Sequence, residues 1–123
     1  MQIIIQSHNL KVSRSLEQLI RKQANKVMGA YSHHIERLII RLKHVTQPNG
    51  TSDPQCCVEV RLPQQPNVVV VKRSANVRST IKKTMARAGR ATLQQLSRRR
   101  TARLSGREVR HDVERDPGIP ALG

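Results

Sequence analysis

Aromatic residues are almost missing from this sequence: of 123 residues none is Trp or Phe, and Tyr31 is the one Tyr. Proteins that read single-stranded nucleic acid stack bases on aromatic platforms, so that mode is excluded. The same lack argues against a helix lying on a membrane, which needs Trp, Phe or a broad Leu face opposite its basic side. No stretch approaches the ~18 consecutive apolar residues of a membrane span. The start, Met1-Gln-Ile-Ile-Ile-Gln6, has neither the basic nor the long apolar region of a secretory leader. The expected location is the cytoplasm.

Cysteine is scarce too. Cys56 and Cys57 are adjacent, with no second pair and no His at metal-ligand spacing, which indicates neither a zinc site nor a disulfide framework. On a strand the two point to opposite faces, with Cys56 inward as a small buried hydrophobe. His33 and His34 are neighbours in a turn-like stretch, and the eight acidic residues are scattered, four of them after residue 105. No acid/base pair can be placed, so no catalysis, metal or cofactor is expected.

What is abundant is positive charge. The chain carries 23 Lys and Arg against eight acids, a formal net charge of +15. Lys and Arg that neutralise phosphates release condensed counterions, so a polyanion is the default partner, and nucleic acid leads. The asymmetry is concentrated: thirteen Lys or Arg occur between Arg61 and Arg107 with no acid among them, more than solubility requires.

The length fits one domain. Gln2 to Ser7 reads as a strand with Ile3 and Ile5 on one face. Ser13 can cap a helix whose apolar positions Leu16, Leu19, Ile20, Gln23 or Ala24, and Val27 follow the 3.6 period to an end near Gly29; Lys22 and Lys26 lie opposite that stripe. "IERLIIRLKHV" alternates, with Leu38, Ile40 and Leu42 on one face and Arg37, Ile39, Arg41 and Lys43 on the other. "TQPNGTSDP" is a connection, "CCVEVRL" resumes alternation with Cys56, Val58, Val60 and Leu62 inward, and "PQQPN" breaks the chain again. "VVVVKRS" is a fourth strand whose four Val leave its facing open.

Residues 76–103 then contain nine Lys or Arg and no acid. Val77, Ile81, Thr84, Met85, Ala88, Thr92 and Leu96 trace one stripe of a thinly apolar amphipathic helix. Lys83, Arg87, Arg90, Gln94 and Arg98 step by three or four along another face, a continuous basic line. From Ser105 the sequence mixes charges, Pro and Gly without period and reads as a disordered tail.

The order β-α-β-β-β-α, with a crossover helix and then short loops, implies an α+β two-layer sandwich: a four-stranded mixed sheet with both helices on one face. Its outer face is expected to show Ile4, Ile39 and Val68 or Val70 as scattered exposed apolar residues beside Arg37, Arg41 and Lys43.

This layout, together with "MQIIIQSHNLKVSRSLEQLIRKQANKV" followed by Tyr31, resembles the ribosome hibernation promoting factor and ribosome-associated inhibitor family over about residues 1–104. The resemblance implies a double-stranded-RNA-binding-like sandwich. It also implies a factor that binds the small ribosomal subunit between head and body, where messenger and transfer RNA sit, and holds idle ribosomes inactive. Residue by residue, Lys22 and Lys26 match outward basic or polar positions on the family's first helix. Ile81, Arg87 and Arg90 match the second helix's motif, in which a buried Ile precedes basic residues that meet ribosomal RNA. Asn76 and Arg78 stand where the family has an acid and an aromatic, Lys82 where it often has another acid, and Ala88 and Gly89 replace bulkier packing.

Longer members carry an additional C-terminal domain, which residues 105–123 are too few to encode, so the expectation is a short-type member. The candidate RNA-binding set is Lys22, Lys26, Lys82, Lys83, Arg87, Arg90, Arg98, Arg99 and Arg100. The expected partner is the small ribosomal subunit and its RNA, with no small-molecule substrate and no membrane, and the chain is expected to be monomeric when free. The alternative is a non-ribosomal RNA- or DNA-binding module, although the helix-turn-helix spacing that presents a helix to a major groove is absent.

Overall fold

A computed structural model describes residues 1–105, and side chains through residue 98. The elements are β1 (Gln2–His8), α1 (Arg14–Met28), β2 (Arg37–Thr46), β3 (Ser52–Arg61), β4 (Val68–Arg73) and α2 (Val77–Ser105), with a 3-10 segment over Gly29–His34. One four-stranded sheet has the order β1-β2-β3-β4. β1 runs parallel to β2, and the other neighbours are antiparallel. This is the expected β-α-β-β-β-α mixed sheet.

Local chemistry starts and stops the elements where it should. Ser13 Oγ accepts from the Leu16 backbone N–H at 3.1 Å, capping α1, and Glu17 sits in the first turn, where a negative charge opposes the helix dipole. The β2–β3 connection turns on Gly50, whose φ of +89° suits a residue without a Cβ. Asn49 Oδ1 closes the same loop by accepting from the Thr51 N–H at 3.1 Å and its hydroxyl at 2.7 Å.

The core lies between the sheet and both helices. Leu16, Ile20, Ala24 and Met28 of α1 and Ile81, Met85, Ala88 and Ala91 of α2 meet Leu38, Ile40, Leu42, Cys56, Val58, Val60, Val68 and Val70. Cys56 is fully buried, as expected, and burial pushes its thiol up to about 12. Cys57 faces the other way, half-buried, its thiol also raised by burial against the pull of Arg41. Both thiols stay protonated at neutral pH and are poor nucleophiles.

Two expectations for the outer face need correction. Val68 and Val70 are core residues, and Val69 and Val71 occupy the outer positions. The β3–β4 register decides this: Val60 pairs with Val68 and Val58 with Val70, so the inward Val of β3 carry their partners inward. Ile39 is on the outer face but only 4% exposed. It stands in register between Ile4 on β1 and Glu59 on β3, which cover it from both sides.

Candidate nucleic-acid interface

Helix α2 is basic on one side because of how its other side is made neutral. Its buried arc contains Thr80, Thr84, Thr92 and Gln95 beside Ile81, Met85, Ala88 and Ala91. A buried hydroxyl needs a partner, and each Thr finds one in the carbonyl four residues before it. Thr80 Oγ1 donates to Asn76 O at 2.7 Å, Thr84 Oγ1 to Thr80 O at 2.6 Å and Thr92 Oγ1 to Ala88 O at 2.8 Å. A thinly apolar stripe therefore packs as a core face. The expected stripe differs at its end: Gln95 is buried, Leu96 is half-buried, and Leu93 stands 52% exposed.

Opposite that arc Lys82, Lys83, Arg90 and Gln94 are exposed, and Arg87 is half-buried at its edge. Arg98 continues the line, but its Nη1 is buried without a hydrogen-bond partner among the described residues, so it is not a fully solvated cation. Arg99 and Arg100 lie on the α2 backbone, and their side chains fall outside the described residues, as does the tail after residue 105. No acid occurs anywhere in α2. Three ion pairs lie away from α2: Arg21 with Glu17 at 3.5 Å on α1, and Arg41 and Arg61 with Glu59 at 3.0 and 2.9 Å on the sheet.

Lys72 on β4 joins the α2 cluster, and sequence reading missed it. Partial burial and then the neighbouring charges of Arg87, Lys83 and Arg90 hold its ammonium below the usual lysine value. Its pairing opposite inward-facing Cys56 placed it on the helix side of the sheet. That signal was masked while the facing of the four Val was open.

The second helix is fixed to the first at a close seam. A Cβ on Gly89 would lie 3.3 Å from both Val27 Cβ and Val27 O, and 3.4 Å from Tyr31 Oη. Tyr31 Oη shares its proton between Val27 O at 2.9 Å and Gly89 O at 2.7 Å, and burial raises its pKa, which keeps the phenol a donor. Arg78 Nη2 donates to Ser15 Oγ at 2.9 Å at the other end. Lys22 and Lys26 are exposed on α1, opposite its buried stripe. The seam thus holds both sets of cations on one rigid two-helix layer, although Lys22 and Lys26 are not part of the Lys72 cluster. His33 and His34 are exposed, with ring centroids 4.0 Å apart. No helix among the described residues is long and apolar enough to cross a membrane, and no group of three or more His, Cys, Asp or Glu among them could hold a metal ion.

The family model for sigma 54 modulation protein / S30EA ribosomal protein matches residues 3–103. The chain belongs to this family. Two solved structures share the fold of this chain. One is a ribosomal subunit interface protein from Coxiella burnetii, with TM-score 0.62 and 15% identity over 79% of this chain and 96% of that one. The other is the N-terminal domain of Thermus thermophilus Protein Y, with TM-score 0.61 and 15% identity over 76% of this chain and 98% of that one. No curated protein matches the sequence significantly.

Proposed function

We propose that this S30EA family member binds the small ribosomal subunit through its helix layer and inhibits translation by occupying the channel of messenger and transfer RNA. The observation that carries the reading is the acid-free basic face of α2, joined by Lys72 and locked to α1 by the Gly89–Tyr31 seam. A cationic surface held in a fixed pattern before binding loses little conformational freedom when it meets phosphate. The name of the similar Coxiella burnetii structure, a ribosomal subunit interface protein, supports the ribosome as the site of action.

Lys82, Lys83, Arg87 and Arg90, with Lys72, make the central contacts. Lys22 and Lys26 add contacts from α1, and Arg98, Arg99 and Arg100 extend the basic line toward the end of α2. Contacts go to phosphate rather than to bases, because the face has charge and no aromatic surface. Binding is therefore steeply salt-dependent: about six neutralised phosphates give a log–log slope near minus five on a duplex. The role is that of a binding factor, with no chemical step.

Sedimentation of the purified protein with small subunits, paired with titration into cell-free translation, tests this reading. Comigration and depressed synthesis are expected. Unchanged synthesis at saturating protein without comigration removes the ribosomal reading and leaves a general RNA- or DNA-binding module.

A further inference from the structure

The face of the sheet turned away from the helices has its own charge pattern. Strand register puts Arg37 beside Arg61, Arg41 between Gln6 and Cys57, and Lys43 between His8 and Gln55, with Arg73 next across the sheet. Against these five cations the same face carries Glu59 and Asp53. Glu59 is already engaged: it accepts from Arg41 Nη1 at 3.0 Å, Arg61 Nε at 2.9 Å and Asn67 Nδ2 at 2.9 Å. Arg41 Nε also donates to Gln6 Oε1 at 3.1 Å. One carboxylate therefore cancels one charge but orders two guanidinium groups, each with N–H donors left over for another acceptor.

A depression of about 400 Å³ opens beside this network, lined by Arg41, Lys43, His8 and Cys57 among others. Positions two apart on a strand are about 7 Å apart and neighbouring strands about 5 Å, so the cations form a grid that a backbone of phosphates can lie across. A second copy of this chain would set like charge against like charge. A lipid surface would find no Trp or Phe to anchor in it.

We propose that this outer sheet face is a second RNA-backbone contact, so that the domain holds one RNA segment on its helix layer and another on its sheet. The occupant is recognised by phosphate, because no aromatic side chain is available to stack a base. The proposal does not depend on the ribosomal reading. It requires only that both sides bind RNA.

The test uses the full chain and two blunt RNA duplexes of about 16 base pairs, one carrying a donor dye and one an acceptor. Wild type brings the two together, seen as energy transfer that rises and then falls as protein passes the one-protein, two-duplex ratio. The neutral variant Lys43→Gln, Arg73→Gln alters two exposed side chains outside the Glu59 network. It retains the affinity for the first duplex, while the second binding event weakens about tenfold and energy transfer falls with it. Circular dichroism confirms the fold, and light scattering reports the oligomeric state. Bridging unchanged in the variant, bridging absent in wild type, or equal weakening of both binding events overturns the proposal. Bridging that tracks a protein dimer also overturns it, and assigns the face to a second copy. Failure to comigrate with subunits while bridging persists would sink the ribosomal reading and leave this one standing.

Discussion

The two sides of this sandwich are both basic, but their cations are placed by different means. On the helix layer no acid interrupts α2, and order comes from packing: Thr hydroxyls folded back onto their own helix, Gly89 against Val27, and Tyr31 Oη across two carbonyls. On the outer sheet face order comes from an opposite charge, Glu59, clasped by Arg41 and Arg61. Helix α2 brings its cations together without an acid of its own, and their mutual repulsion adds to partial burial in lowering the pKa of Lys72. The sheet face gives up part of its field and gains a hydrogen-bonded network. In the proposed reading the helix side makes the primary RNA contact and the sheet side a weaker, pre-ordered one.

The comparison breaks first if the helix cations are removed. Lys83→Ala, Arg87→Ala, Arg90→Ala should lower affinity for duplex RNA about a hundredfold or more and reduce the salt slope by about three. Lys43→Gln, Arg73→Gln should leave that first affinity within about threefold, and filter binding across a salt series compares the two. Equal losses would mean that only total charge counts.

The seam comes next. Gly89→Leu forces side-chain volume against the Val27 carbonyl and should cost about 1–3 kcal/mol, whereas Tyr31→Phe deletes one shared hydrogen bond and should cost about 1 kcal/mol. Urea unfolding followed by circular dichroism measures both. If Gly89→Leu unfolds normally, the close approach of the helices is wrong.

A smaller effect with opposite signs sharpens the comparison. Lys72→Gln removes a cation that burial and Arg87, Lys83 and Arg90 disfavour, so the melting temperature should rise by about 2 °C while RNA affinity falls about threefold. A change of both in the same direction would take Lys72 out of the binding cluster.

The smallest effect is on the sheet. Partial burial pushes the Glu59 carboxyl up, but the hydrogen bonds from Arg61 and Arg41 outweigh it and leave its pKa lowered. A carboxylate with a lowered folded pKa contributes stability that is present above its unfolded value and lost as pH falls through the folded one. Wild type should therefore melt above Glu59→Gln at pH 7, and the two should converge as pH drops below the ordinary glutamate value of 4.5. Parallel curves down to pH 3 would contradict the assigned network.

Much of this architecture is legible in the residues. The alternation of Leu38, Ile40 and Leu42, the Ser13 cap and the Gly50 turn name their elements directly, because each reports a local requirement. The facing of β4 was not legible, since a run of four Val satisfies either side and only pairing with Val58 and Val60 chooses. Lys72 was hidden for the same reason. Burial of Ile39 depends on Ile4 and Glu59 on the two adjacent strands, and burial of Gln95 on tertiary packing around α2; neither has a local signature. The role of Gly89 was not legible because a glycine inside a helix looks like a loss of packing until the other helix is seen against it.

The central claim is that packing places the decisive cations before RNA arrives. Gradient comigration with small ribosomal subunits at matched salt tests it most directly, using two variants that remove equal charge from one helix. Lys83, Arg87 and Arg90 belong to the part of α2 anchored by Ile81, Met85 and Ala88, whereas Arg99, Arg100 and Arg103 follow the last buried side chain that the structure describes, Gln95. Lys83→Ala, Arg87→Ala, Arg90→Ala should abolish comigration, and Arg99→Ala, Arg100→Ala, Arg103→Ala should weaken it while the protein still sediments with the small subunit. Equal losses, or a selective loss in the second variant, would contradict it.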